Sequence, residues 1–309
     1  MHSTIDARLA RIIDRVPEWR NRHVDISPLP GGLTNSNYRL DVDGQSYVVR
    51  IPGESTELLA IDRAAEHENT RRAAQRDLGP RIVHHFPDEH VMVLEFLDGT
   101  TLTKDQLQLP RMPSRVAAVV RQLHRGGPFS REFHMIAVGE CYRETIRDRG
   151  FEVPAGFEAR REDYDRVCAA LAARPLPAVA CHNDLLAENF IDCGGQLRIV
   201  DFEYSGQNDP CFELGNFCQE QEYDDARIAE ACDAYFGQAS AEALARIKLN
   251  MIVSDTVWAM WAMIQHRISK VEFDYWIYGC NRWRRAEAKL DSRELAGWLA
   301  DAIREVPAR

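Results

Sequence analysis

Apolar residues recur at helical spacing at Ile5, Leu9, Ile12, Ile13 and Val16, and Pro17 ends the run, which predicts a first amphipathic helix capped near Ser3 or Thr4. The pattern then shifts to short apolar runs separated by turn residues. A glycine-rich stretch over residues 29–40 leads into a strand, Asp43-Gly44 makes a hairpin turn, and residues 47–51 form the next strand. Residues 61–78 return to a helix, closed by Gly79-Pro80, and residues 90–97 have a strand's apolar density, broken at Asp98-Gly99. Val116, Val119, Val120 and Leu123 form a helical stripe that ends at Gly126-Gly127-Pro128, with His124 beside it as a hydrogen-bonded helix-end histidine rather than a ligand. Residues 140–171 read as helical. Two apolar runs, one ending at His182 and one at Asp201, flank a hairpin turn at Asp192-Cys193-Gly194-Gly195, where glycine supplies the positive φ a tight turn needs. Residues 249–264 carry Trp258 and Trp261 three apart on one helix face.

Composition narrows the class. A chain of 309 residues has room for about two domains and a real core. Its net charge of −10 argues against a nucleic-acid backbone as partner and suits a cationic small molecule. The cysteines at 141, 168, 181, 193, 211, 218, 232 and 280 form no Cys-x-x-Cys pair, and the first residues lead into a charged amphipathic stretch rather than a leader. They read as reduced thiols of a cytoplasmic protein. The apolar run 249–264 is shorter than the ~20 residues of a spanning helix and is interrupted by Asn250, Ser254 and Asp255, so no membrane span is expected.

The chemistry concentrates in residues 179–204. Asp184 follows His182 and Asn183, Asn189 comes five residues later, and the second run delivers Asp201. Phosphoryl transfer from ATP needs such a set: a carboxylate to take or orient a hydroxyl proton, and two oxygen donors to hold Mg²⁺ against the phosphates. Mg²⁺ prefers carboxylate, amide and water oxygens, so Asn189 and Asp201 are candidate metal ligands and Asp184 the candidate base. Upstream, Gly31, Gly32, Thr34, Asn35 and Asn37 offer backbone amides and small polar groups that can cradle phosphates. Trp258, Trp261, Tyr275 and Tyr278 read by default as core packing, yet such faces around a carboxylate also make a cage for a quaternary ammonium.

On these residues the chain resembles the choline and ethanolamine kinases, within the aminoglycoside phosphotransferase superfamily related to protein kinases. Asn183 stands where protein kinases carry Arg, and Phe202-Glu203 follows the metal Asp in place of Phe-Gly; both suit the small-molecule kinases. The resemblance implies an α+β, bilobal protein-kinase-like fold, with a nucleotide-binding lobe over residues 1–97 and a mainly helical catalytic and substrate-binding lobe over 98–309. It implies that Arg50 steadies the ATP phosphates and pairs with Glu66 or Glu68, of which Glu66 fits the family spacing. It also implies that backbone groups from Glu95 to Leu97 meet adenine, and that Tyr204, Trp258, Trp261, Tyr275 and Tyr278 line an ammonium pocket with Glu220 as counter-charge.

The expected function is therefore Mg-ATP-dependent phosphorylation of a small cationic amino alcohol, choline ahead of others. Within the same fold the alternatives are an ethanolamine, thiamine or aminoglycoside kinase, and outside it a nucleotide-binding protein without turnover. The sequence leaves open whether two copies pair as a homodimer.

Overall fold

The computed structural model describes residues 7–30, 32–53 and 56–304. Gly31 and the first residues of the expected opening helix, Ser3, Thr4 and Ile5, lie outside them. Helix α1 (Ala7–Arg15) leads into strands β1 (Val24–Leu29), β2 (Asn35–Val42) and β3 (Gln45–Pro52), then helix α2 (Arg63–Ala74) and strands β4 (Ile82–Phe86) and β5 (Val91–Glu95). These five strands form one antiparallel sheet in the order β1-β2-β3-β5-β4. The β2–β3 hairpin turns at Asp43 and Gly44, both at positive φ (50° and 80°), the conformation its Asp-Gly pair favours. Leu9, Ile12 and Val16 bury one stripe of α1 against Leu40, Val49, Ile51, Val91 and Val93 of the sheet, giving this lobe its own core.

The larger lobe is mainly helical. A short strand β6 (Thr100–Thr101) precedes α3 (Lys104–Leu107), α4 (Met112–His124), α5 (Met135–Arg149) and α6 (Arg161–Ala173). Strand β7 (Val179–Cys181), the hairpin β8 (Phe190–Cys193) and β9 (Gln196–Ile199), and β10 (Gly206–Asn208) follow, then α7 (Pro210–Glu220), α8 (Asp225–Phe236), α9 (Ala241–Ile268), α10 (Tyr275–Leu290) and α11 (Leu295–Ala302). β6, β8 and β9 form one small sheet, and β7 pairs with β10. Helix α9 is buried on every side along most of its length, wrapped by α5, α6, α10 and α11, with Val253, Val257, Trp258, Met260 and Ile264 in its core. A helix apolar all round belongs inside a protein or a membrane. Here it is inside: no helix among the described residues is long and apolar enough to cross a bilayer. A second helical core joins α4, α7 and α8 to the β8–β9 hairpin.

This is the expected α+β, two-lobed protein-kinase-like arrangement, with two local differences. The helix expected over 61–78 is shorter, because Asp62 caps α2 by accepting from the amides of Ala64 and Ala65 at 3.0 Å and the chain leaves the helix after Ala74. The single helical stretch expected over 140–171 is two helices: Gly150, at φ 63°, ends α5 in the left-handed conformation, and Pro154 lies in the connection to α6.

Candidate active site

Between β7 and β8 runs the loop that carries Asp184 and Asn189, and α7 holds it from behind. Asp209 caps α7, accepting from the Cys211 amide at 2.7 Å, with Pro210 at the first helical position. One turn on, the fully buried Glu213 accepts from the backbone amides of His182 and Asn183, each at 2.7 Å, and Asn216 accepts from that of Leu185 at 2.8 Å. His182 donates from Nε2 to the Val200 carbonyl at 2.9 Å, so the loop is tied to the end of β9 as well. Burial lowers the pKa of His182, in keeping with a neutral imidazole that donates from one nitrogen only. Asn183 and Asp201 both sit at left-handed φ, 71° and 70°. Asn183 is held there by donating to the Tyr204 carbonyl and accepting from Asn208, both at 2.9 Å. Such strain in non-glycine residues persists only where surrounding contacts over-determine it.

Asp184 is half-buried, and burial together with Glu220, Asp201 and Glu203 raises its pKa well above the usual carboxylate range, against the pull of Arg282. Asn189 donates from Nδ2 to the Asp184 carbonyl at 2.8 Å, which fixes the amide and leaves its oxygen for another partner. Asp201 is reached from β3. Arg50 donates from Nε to Glu66 Oε1 at 2.7 Å and places its two terminal nitrogens on the two oxygens of Asp201. Glu68 pairs instead with Arg71 and Arg72 on the outer face of α2. Burial opposes the charge of Arg50, but Asp201, Glu66 and Glu203 outweigh it and its pKa is raised. Arg63 bridges Glu66 (2.7 Å) and Glu203 (3.1 Å), so two guanidiniums face three carboxylates. Burial and Asp201 raise the pKa of Glu203 despite both arginines. The oxygens of Glu66, Asp201 and Glu203 lie within 4.8 Å of one another, an excess of negative charge that suits a cation.

The glycine-rich segment lies over this cluster. Gly32 is at φ 99°, and a Cβ there would sit 2.7 Å from the Asn35 carbonyl, so the turn requires glycine. Asn35 is buried and donates to Glu203 at 2.8 Å; its side chain therefore fastens the loop to the carboxylate cluster. Thr34 closes the neck of the loop by accepting from the Gly53 amide at 3.0 Å, and Asn37 lies on β2 opposite Arg50. At the far end of the sheet the Glu95 amide is spent on the Arg81 carbonyl (2.9 Å) and that of Phe96 on Ser46 (3.3 Å). The Glu95 side chain braces Arg81 and Arg198.

The aromatic residues form one continuous, edge-on packed cluster, or box. Trp261 donates from Nε1 to the Tyr204 hydroxyl at 2.8 Å and meets Trp258, Tyr275 and Tyr278 edge-on at centroid distances of 5.8, 5.8 and 6.2 Å. Tyr204 and Trp258 are perpendicular at 4.9 Å. Tyr275 donates to the Leu33 carbonyl at 3.1 Å, joining the box to the glycine-rich loop. Glu220 is no bare counter-charge. Arg282 of α10 grips it, Nη1 to Oε1 at 2.5 Å and Nη2 to Oε2 at 2.7 Å, and Nη2 also lies 2.5 Å from the Tyr278 hydroxyl. Asp255, fully buried on α9, completes the cluster, 3.3 Å from Arg282 and 2.6 Å from Arg285.

Sequence reasoning passed over Glu213, Asn216, Arg63 and Arg282. A signal existed for the first: Asp209-Pro210 marks a helix start, and a carboxylate in the first turn of a helix beginning beside the catalytic hairpin is placed to reach loop amides. His124 lies behind Glu213, its Nδ1 2.6 Å from the Tyr235 hydroxyl and its Nε2 3.6 Å from Cys181 Sγ.

A profile of choline/ethanolamine kinases matches residues 26–235, which takes in the sheet, the catalytic loop and α7 but stops short of the tryptophans. A choline/ethanolamine kinase family protein from Mesorhizobium loti superposes with a TM-score of 0.84 at 31% identity, covering 96% of this chain and 98% of that one. Choline kinase LicA from Streptococcus pneumoniae superposes with a TM-score of 0.78 at 25% identity, over 92% of this chain and 99% of its own. Ethanolamine kinase 1 of Mus musculus is 26% identical over 321 residues, covering 91% of this chain and 88% of the mouse protein. A profile over residues 26–235, with a solved relative 31% identical over 96% of the chain, settles the family: the chain belongs to the choline/ethanolamine kinases.

Proposed function

We propose that this small-molecule kinase transfers the γ-phosphoryl group of Mg-ATP to the hydroxyl of choline. The observation that carries the reading is that the half-buried Asp184 lies within electrostatic reach of both the carboxylate cluster, through Asp201 and Glu203, and the aromatic cluster, through Tyr204 and Tyr278. Asp184 orients the alcohol and accepts its proton. The raised pKa of Asp184 follows from crowded carboxylates, and cationic ligands would offset that crowding.

The metal-side residues suit Mg²⁺. Asn189 is fixed by its Nδ2 with its oxygen uncommitted, Asp201 keeps about two of its four lone-pair sites beyond the two that Arg50 takes, and the neighbouring acids supply surplus negative charge. Asn189 and Asp201 would hold the ion, which when bound neutralises charge on the phosphates. Arg50, steadied by Glu66, serves phosphate oxygens; Gly31, Gly32, Thr34 and Asn37 cover them, with Asn35 as the fastening, and Glu95 to Leu97 receive adenine between a lobe ending near residue 97 and the rest. The chain's part in the chemistry is placement, charge stabilisation and exclusion of water.

Tyr204, Trp258, Trp261, Tyr275 and Tyr278 receive the ammonium head, each close cation–π contact contributing about 0.5–2 kcal/mol when desolvated. Faces rather than acceptors favour trimethylammonium over a primary ammonium. Eight unpaired cysteines suit a reducing cytoplasm. The test is ADP release with choline and ethanolamine side by side: choline should give the higher kcat/KM, and the reverse order overturns the substrate assignment. Asp184→Ala and Asp201→Ala should each abolish turnover, and near-normal activity in either removes its assigned role.

A further inference from the structure

We propose that Arg282 is a positioning residue that selects a quaternary over a primary ammonium by keeping both oxygens of Glu220 occupied; this rests on the amino-alcohol reading above. Glu220 is the carboxylate nearest the box on α7, and its two oxygens are taken in parallel by the two terminal nitrogens of Arg282, with Asn216 adding a third donor at 3.4 Å. Fork-to-fork pairing of this kind is the strongest arrangement open to a carboxylate. Arg282 cannot swing away at little cost, because it is buried, lies 3.3 Å from the buried Asp255, and has its guanidinium carbon 4.9 Å from the centre of the Tyr278 ring. With Arg285 on Asp255, two acids and two arginines cancel.

The two classes of ammonium respond differently to this arrangement. A primary ammonium brings three N–H donors that lose water on entering the box and must find acceptors, and each buried donor left unmet costs about 1–3 kcal/mol or more. Glu220 is the carboxylate of α7 beside Tyr278, and Arg282 with Asn216 already takes three of its about four lone-pair sites. A trimethylammonium has no N–H to satisfy and needs only ring faces and a negative field, which Asp184 and the cluster behind it supply. The same grip holds the Tyr278 hydroxyl, and so fixes one wall of the box.

The experiment measures kcat and KM for choline and ethanolamine in full-length wild type, Arg282→Met, Arg282→Lys and the double variant Arg282→Met/Glu220→Gln, with a thermal melt of each. In Arg282→Met the ethanolamine-to-choline ratio of kcat/KM should rise about tenfold, the loss of about one charged hydrogen bond's discrimination, through a lower KM for ethanolamine with kcat nearly unchanged. The double variant, with no free carboxylate, should return to the wild-type preference. If Arg282→Met does not fold, Arg282→Lys carries the test: a lysine serves one carboxylate oxygen, and the ratio should shift about threefold in the same direction. A folded variant with an unchanged ratio, or an equal fall in kcat for both amines, overturns the role of Arg282 while leaving the choline reading intact. A wild type that phosphorylates neither amine, or prefers ethanolamine, overturns that reading and this inference with it.

Discussion

The base role proposed for Asp184 requires that its loop be held still, and the side chain that holds it is Glu213. Each Glu213 oxygen accepts one backbone amide, so Glu213→Ala strands two buried donors, at about 1–3 kcal/mol apiece. The expected outcome is a lower melting temperature together with a fall in kcat larger than the change in KM for ATP, because the loop no longer places the carboxylate. Glu213→Gln, which keeps one acceptor, should fall between. A destabilised variant with unimpaired kcat would separate the loop's position from Glu213. Replacing Asp184 itself by Asn keeps the shape and removes the base, with an expected loss of about 10²–10⁴-fold in kcat at unchanged stability. The contrast between these residues also marks what a sequence discloses. Asp184, Asn189 and Asp201 lie within eighteen positions of one another and their spacing is chemical, so they stand out along the chain. Glu213 and Arg282 act on partners 30 and 62 positions away through burial, which no local pattern records.

At the scale of elements, apolar periodicity located the strands and helices that have one exposed face, while ends and breaks followed from single residues. Asp62 and Gly150 set limits on α2 and α5 that the apolar stripe alone had overrun. Strands β1 and β4 went unread: β1 buries no residue fully and has a Pro28 in it, and β4 is polar at His84 and His85. The second of them, His85, matters to α2, the helix that brings Glu66 to Arg50. His67 of α2 stacks on His85 of β4 with ring centroids 3.8 Å apart, and burial lowers the pKa of both below 6.5, His67 further coupling to His85 as a like charge. A lowered folded-state pKa means that the unfolded chain binds protons first on acidification. The neutral pair's contribution is therefore complete above about pH 6.5 and is lost as pH falls from there through the folded-state values. Melting temperature should drop between pH 7 and pH 5, and His85→Gln should flatten that dependence. An unchanged slope in His85→Gln would place the acid sensitivity elsewhere.

At the scale of the whole molecule, the sheet core and the two helical cores are separate, yet contacts around the candidate site join them, and on the proposed function these contacts would link nucleotide and alcohol binding. Arg50 of β3 reaches across to Asp201, Asn35 to Glu203, and the Leu33 carbonyl accepts from both Tyr275 (3.1 Å) and Gln265 (3.4 Å), while the Leu33 side chain packs against the helical core. Leu33 belongs to the loop proposed to cover the phosphates and Tyr275 to the aromatic cluster proposed to receive the ammonium. A ligand that orders one should therefore order the other, and by linkage the effect must run both ways. Tyr275→Phe removes the hydroxyl and keeps the ring, so the box retains its face and the fold its volume. It ends the bond to the Leu33 carbonyl and also the one the hydroxyl accepts from Ser269 Oγ at 3.0 Å, each worth about 0.5–1.5 kcal/mol, or roughly 2–10-fold in affinity. That change should appear in the coupling: in wild type, saturating choline tightens binding of Mg-ATP and the reverse, whereas in Tyr275→Phe each substrate's affinity should become nearly independent of the other. A grid of initial rates over both concentrations reads this directly as the ratio of KM values at low and saturating co-substrate. Coupling that survives the substitution would mean that the loop and the box meet without communicating, and that the arginine and asparagine bridges carry the link between the lobes instead.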